Sequence, residues 1–476
     1  MSSCPSLRRF AAAIPLILAC PLARADAPAT PNWQVAGDEA AQTLSHYIQV
    51  DTVNPAGHED RAVAFLGDIL DKEGIPWTSY PFEVGRSSLV ARLKATGTPT
   101  EPPLCLLSHT DVVPSEPKFW PADKGPLSGV ISDGYVWGRG ALDMKGMGVL
   151  ELESMIQLKR LNVPLHRDVI LLAVGDEEVD SGGVRELVKD HWADIGCSQS
   201  VNEGGLGLEN LLFKGQTLYG ISVAEKGIAW VKMTATGPAG HGSRPDPIQA
   251  PHVLARAAYA LEQYKPDIHW HWSLMELFHN VSRTQTGLTR FVLSNPGLTK
   301  LALRGRFTHD PATRAVLINT INLTNFSGGT SPNVVPTEAS ATLDCRLLPG
   351  TTPDDMLATL RALVPDPAIR FELLQGRNSN ESPTQDSLYQ ALAKYAVLDG
   401  AGNQRKNAVA GPVLSVGFTD SLILRPVGVH AYGFVPFEVT LDEAGTMHGN
   451  GERVSVANIR NGLRILYSAV KEVSAL

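Results

Sequence analysis

"LLSHTDVVP", Leu106 to Pro114, is an apolar run of strand character that breaks off on a histidine and an aspartate. Strands buried on both faces read as continuous apolar runs. One that ends on two good metal- and proton-binding side chains marks where the chain leaves the core. Its neighbours have the same texture. "SSLVARLKA", "PLCLLSH" and "DVILLAVG" read as strands, while "AQTLSHYIQV", "DRAVAFLGDILDKEG" and "KGMGVLELESMIQLKRLN" carry apolar residues at helical spacing. From about Trp33 to Ile221 this alternation predicts an α/β fold, a largely parallel or mixed sheet covered by helices on both faces.

Near Ala224 the pattern changes. "GIAWVKMTATG" alternates like a half-exposed strand and "APHVLARAAYALEQY" is helical; "AVLINTINLTNF", "EASATLDCRLL", "PDDMLATLRALV" and "IRFELLQ" follow as strand, strand, helix and strand. That order is a split βαβ unit, an inserted α+β lid of one four-stranded sheet and two helices. The expected division is therefore 26–223 and 377–476 for the two parts of the catalytic domain and 224–376 for the lid. A segment at about 265–314, rich in aromatic and basic residues, interrupts the lid. It is too long for an ordinary loop and is predicted to hold helices of its own.

Residues 1–25 read as an export signal. Arg8 and Arg9 precede the apolar "FAAAIPLILACPLA", and Ala23-Arg24-Ala25 is a small-residue cleavage site. "ILAC", ending at Cys20, offers a lipoprotein reading that Leu18 and Pro21 fit poorly. The run is too short to span a bilayer, and no transmembrane segment is expected elsewhere. The predicted location is periplasmic or secreted. Cleavage removes three arginines and no acids, taking the formal charge from −8 to −11. An acidic chain without basic clusters is a poor partner for nucleic acid or anionic lipid. Cys105, Cys197 and Cys345 remain, too few for a disulfide framework. They are expected to be small buried hydrophobes, at least one of them unpaired.

In open α/β sheets, ligands gather at the carboxyl ends of strands. Here those ends deliver His109 and Asp111, then Asp143 on the loop before a helix, then Glu177 and Glu178. The loop "SVNEGG" offers Glu203 and "GTMHGNGERV" offers His448. Taken singly, each has a bland reading as a turn, a cap or a satisfied histidine. Together they form a mixed nitrogen–oxygen set suited to zinc, with cobalt or manganese as alternatives. Of two adjacent glutamates, one can ligate while the other takes a proton.

The ordered motifs "SHTDVVP", "WGRGALDMKGM", "GDEEVDSGG", "NEGG", "GHGSRP", "SPNVVP", "DCRLLPG" and "MHGNGE" resemble the co-catalytic zinc metallopeptidases. That family includes aminoacylase, glutamate carboxypeptidase, carnosinase, acetylornithine deacetylase, succinyl-diaminopimelate desuccinylase and carboxypeptidase S. The resemblance implies a zinc-exopeptidase-like sheet and two divalent metal ions. It assigns His109 and Glu203 to one ion, Glu178 and His448 to the other, and Asp143 to both. Glu177 matches the general base acting on a metal-bridging water, and Asp111 the group that orients the His109 ring. The peptide after Asp143 is commonly cis in the family.

His241 in "GHGSRP" matches a histidine that stabilises the tetrahedral oxyanion, often across a dimer interface; the alternative is a turn histidine. Asn333 and Arg346 match groups that hold a substrate carboxylate, with an ion-pair role as the alternative for Arg346. Gly417 and Thr419 of "GFTDS" match a carboxylate-binding glycine loop.

The implied activity is amide hydrolysis of carboxypeptidase or aminoacylase type. The implied substrate is a small molecule or short peptide with a free carboxylate, and a homodimer through the lid is expected. A dipeptidase acting on unblocked dipeptides and a non-catalytic peptide-binding protein are the alternatives. The insertion and "DVVPSEPKFWPADKGPLSG" resemble the carboxypeptidase S-like branch. The tryptophans and leucines of the insertion fit an apolar acyl pocket, structural packing or a substitute for the dimer surface.

Overall fold

The run quoted above forms the strand Leu104–His109, all six residues buried, in a computed structural model that describes residues 1–2, 30–244 and 246–476. It pairs in parallel with Val169–Val174 and with Gln199–Glu209. These are interior strands of an eight-stranded mixed sheet. Its order is Trp77–Glu83, Arg86–Leu93, Val169–Val174, Leu104–His109, Gln199–Glu209, His430–Val439, Thr217–Glu225, Ala408–Ser415.

Successive side chains on a strand point to opposite faces, and both faces here are covered. Leu104 and Leu106 join the core under the helices Trp33–Ile48, Lys145–Arg160 and Val456–Ser474, whereas Cys105 and Leu107 pack with Val184, Leu187 and Ile195 on the other side. Double burial explains why the strand shows no polar alternation. The helix Lys145–Arg160 is itself buried on nearly every side, from Lys145 through Leu158.

Cys105 and Cys197 are joined in a disulfide, which corrects the reading of both as simple buried hydrophobes; Cys345 is free and buried. The two partners lie 92 residues apart in sequence, but the pairing of Leu104 with Gln199 brings their backbones side by side.

The smaller sheet is antiparallel, ordered Thr320–Ser327, Glu338–Leu347, Gly227–Thr236, Ile369–Arg377. The helices Ala250–Glu262 and Pro353–Leu363 cover one face of it. Thr352 and Asp355 close the second helix with reciprocal capping bonds. Along Glu338–Leu347 the alternation is strict. Ala339, Ala341, Leu343, Cys345 and Leu347 face those helices, which leaves Asp344 and Arg346 on the other side.

The insertion folds into helices Trp272–Ser282, Gly287–Leu293, Pro296–His309 and Pro311–Ala315. Leu277, Phe278, Val281 and Phe307 pack against Leu218 and Val409 of the large sheet. The inserted helices therefore cover the edge strand Ala408–Ser415, an edge that would otherwise lie open to pairing.

The export-signal reading, including Cys20 and Ala23–Ala25, lies outside the described residues except for Met1 and Ser2. Among the described residues no helix is long and apolar enough to cross a membrane.

Candidate metal centre and active site

His109 ends its strand beside Val174, the last residue of the neighbouring strand. That register sets the Gly175–Glu178 turn against the histidine. The ring is 1% exposed. Its Nε2 lies 3.2 Å from Asp143 Oδ1 and 3.6 Å from Glu203 Oε1. Asp143 turns its other oxygen, Oδ2, to Nε2 of His448 at 3.1 Å, and Glu178 Oε1 lies 3.1 Å from the same nitrogen. One carboxylate thus stands between two imidazoles, with a glutamate flanking each. Ligand atoms of His109, Asp143 and Glu178 lie within 4.8 Å of one another, as do those of His109, Glu177 and Glu203.

These groups come from five separate stretches of chain. Glu203 sits inside the strand Gln199–Glu209, not in the loop expected for it. Gly433 on the adjacent strand permits this, since a Cβ there would lie 2.2 Å from the Glu203 carbonyl oxygen. The peptide Asp143-Met144 is cis.

Buried negative charge dominates the electrostatics. Burial pushes Glu177 and Glu203 well above the usual carboxylate range, reinforced by neighbouring acids. For His109, burial opposes protonation but is outweighed by Glu203 and Asp143, so its pKa rises. Hydrogen bonds to Asp143 and Glu178 push His448 up to about 10. Asp143 is held low: burial works against its charge, and the two histidines outweigh that. Carboxylates gathered at such depth need cations beside them. The donor set, imidazole nitrogen and carboxylate oxygen with no thiolate, fits zinc-type divalent ions.

Asp111 plays a different part from the one expected. The acceptor nearest His109 Nδ1 is the Asp111 backbone carbonyl at 2.9 Å, while the carboxylate stands at 3.7 Å. That carboxylate instead accepts from the backbone N–H groups of Glu177 (3.1 Å) and Glu178 (3.2 Å), fixing the glutamate turn. Asn54 Nδ2 donates to it at 2.6 Å, and Arg86 links Asn54 to Glu59.

The other expected residues divide into two groups. Arg346 and Gly417 line the cavity that opens from the carboxylates, about 590 Å³ in volume. The Arg346 guanidinium forks onto Asp344 (2.8 and 3.1 Å) and lies 5.3 Å from the Phe418 ring centre, so the ion-pair role is the one it adopts here. Thr419 also lines the cavity, but its N–H and hydroxyl both donate to buried Glu225 at 2.9 Å. With both donors engaged, it shapes the loop instead of presenting groups to a ligand. His241 and Asn333 meet at the short antiparallel pairing of Gly240–His241 with Val334–Val335, where Gly242 N–H donates to the Asn333 carbonyl at 2.7 Å. Both are exposed and neither lines the cavity. The His241 ring accepts from Ser243.

Two contributions were not anticipated. Fully buried Glu452 accepts from Leu142 and Asp143 N–H through Oε1, and from Gly140 N–H and Arg139 through Oε2. It organises the loop that carries Asp143, and its signal was an acid four residues after His448 in a glycine-rich turn. The second is the apolar wall opposite the carboxylates, built from Leu206, Leu208, Leu218, Val413, Val435 and Met447. No local motif announces it.

Residues 105–472 match the sequence model of peptidase family M20/M25/M40. Among curated relatives, N-fatty-acyl-amino acid synthase/hydrolase PM20D1 of Homo sapiens is 27% identical over 383 residues, 78% of this chain and 74% of that protein. Aminoacylase-1 of Mus musculus is 27% identical over 443 residues, 90% of this chain and 95% of that one. Probable carboxypeptidase S-like 2 of Dictyostelium discoideum is 26% identical over 379 residues, 78% and 71% of the two chains.

Among the solved structures that share the fold are the following two. The M20 family metallo-carboxypeptidase Sso-CP2 of Sulfolobus solfataricus has a TM-score of 0.66 at 19% identity, covering 91% of this chain and 99% of that one. Human carnosine dipeptidase 1 has a TM-score of 0.62 at 16% identity, covering 92% and 96%. The chain belongs to peptidase family M20/M25/M40 and is a metal-dependent hydrolase of amide bonds.

Proposed function

We propose that the protein hydrolyses N-acyl amino acids at a centre of two divalent cations, zinc in the first instance. The observation that carries this reading is Asp143, which directs one carboxylate oxygen to each of two histidines at the end of an apolar-walled cavity. His109 and Glu203 would hold one ion, Glu178 and His448 the other, and Asp143 both. Bound there, the ions supply Lewis acidity toward the scissile carbonyl and toward water.

Glu177 is left over from this ligand set. Burial makes it a stronger base than a surface carboxylate, and Asp111 fixes its backbone. Its carboxylate takes the proton of the attacking water and returns it to the leaving nitrogen. Arg346 exchanges Asp344 for the substrate carboxylate, beside the Gly417 loop. His241 and Asn333 reach the site by lid closure or from a second copy docked through the lid. Export to an oxidising compartment is part of the same reading, supported by the Cys105–Cys197 disulfide. The names of the aminoacylase and fatty-acyl relatives support the acyl side of the substrate.

The test compares N-acyl amino acids with unblocked dipeptides, with and without chelator. Acyl substrates are expected to turn over, and chelator to stop them. Preference for unblocked dipeptides overturns the reading in favour of a dipeptidase.

A further inference from the structure

Resting on that reading, we infer that the active-site cavity continues into a second chamber beneath the inserted helices, and that this chamber takes the distal carbons of a long aliphatic acyl group. The two spaces share a wall. Leu211, Leu218, Leu277 and Val413 line both the cavity of the carboxylates and the chamber, which has a volume of about 280 Å³. Beyond them the chamber is lined by Leu274, Phe278, Phe307 and Val316, all but Val316 on inserted helices.

Among the described residues lining the chamber, none is acidic, and most are aliphatic or aromatic. The polar side chains among them are Arg306, Thr313 and His271, the last already engaged by Glu381, so away from Arg306 a charged or strongly polar ligand would be stripped of water without compensation. An alkyl chain loses nothing. An engineered apolar cavity of about 150 Å³ holds a benzene ring, so the chamber has room for roughly ten carbons by that scaling. Leu277 sits at the junction and is firmly placed: a Cβ added at Gly411 on the strand beneath would come within 2.6 Å of its Cδ1. The inserted helices thus act as a ruler for acyl length as well as cover for the sheet edge.

The ruler is read with acetyl, hexanoyl, decanoyl and palmitoyl derivatives of one amino acid. Each methylene entering the chamber is expected to raise kcat/KM about fourfold until the space is filled, after which the gain stops. Leu277→Trp plugs the junction. Leu274→Trp, at a half-buried position one turn earlier on the same helix, fills the chamber itself and guards against a folding failure in the first variant. In either variant the decanoyl-to-acetyl ratio of kcat/KM is expected to fall at least about tenfold. A ratio unchanged in a folded variant, or no wild-type gain beyond acetyl, overturns the chamber assignment while leaving N-acyl hydrolysis standing. Failure to cleave any member of the series, acetyl included, overturns the parent reading instead.

Discussion

Glu452 offers a stringent test of how the metal loop is held. It is 0% exposed, and its two oxygens accept four hydrogen bonds at 2.6–3.1 Å, three of them from the backbone of residues 140–143. Glu452→Gln keeps the shape but replaces one oxygen with a donor. The substitution removes the charge opposite Arg139 in either orientation, and the remaining oxygen is best placed facing Arg139, where it still accepts a hydrogen bond from the buried guanidinium. Leu142 and Asp143 N–H then face an NH₂ group and lose their acceptor, at about 1–3 kcal/mol each. With the uncompensated Arg139 charge added, the expected destabilisation is at least about 4 kcal/mol, a large share of the roughly 5–15 kcal/mol that keeps a domain folded. The loosened backbone is that of Asp143 itself, so zinc affinity should fall about 10–100-fold, as for other partners of metal ligands. Urea unfolding followed by circular dichroism reads the first quantity, and competitive chelator titration the second. A variant within about 0.5 kcal/mol of wild type and with undiminished zinc affinity would refute the argument.

Three further outcomes follow from the site and its core. Glu177→Ala should abolish turnover, while elemental analysis shows metal content near wild type; loss of metal would place Glu177 among the ligands. Arg346→Ala should raise KM for substrates with a free carboxylate by at least about tenfold, and an equal rise for amidated substrates would contradict carboxylate recognition. Glu153, 3% exposed on the helix Lys145–Arg160, is pushed up to about 7 by burial. The folded state therefore binds its proton more tightly than the unfolded chain, and the protein loses stability as pH rises from about 4.5 to 7. Glu153→Gln should match wild type near the lower end and exceed it by about 3 kcal/mol above the upper end, measured by unfolding across that range; a pH-independent difference would argue against it.

Much of the site was legible because its side chains stand where apolar strands stop. His109 and the glutamate turn end continuous runs, and Asp143 and His448 lie in glycine-rich turns, so local pattern and position agree. Glu203 reads as a loop residue because "NEGG" has the texture of a turn, and its place in a strand depends on the close approach of Gly433, adjacent in the sheet but distant in sequence. Trp77–Glu83 escaped notice as an edge strand whose proline interrupts the pattern. The disulfide was hidden because sheet order, not spacing, brings Cys105 to Cys197. Most of the apolar wall was hidden for a similar reason, since apart from Leu277 of the insertion its residues come from four strands, the turn at Leu211 and the Met447 segment.

The central claim is that two cations share Asp143. Anomalous diffraction at the zinc edge from a zinc-soaked crystal tests it most directly. The account predicts two peaks about 3.5–4 Å apart, one beside His109 and Glu203, the other beside Glu178 and His448, with Asp143 between them. A single peak, or zinc bound away from these five residues, would contradict it.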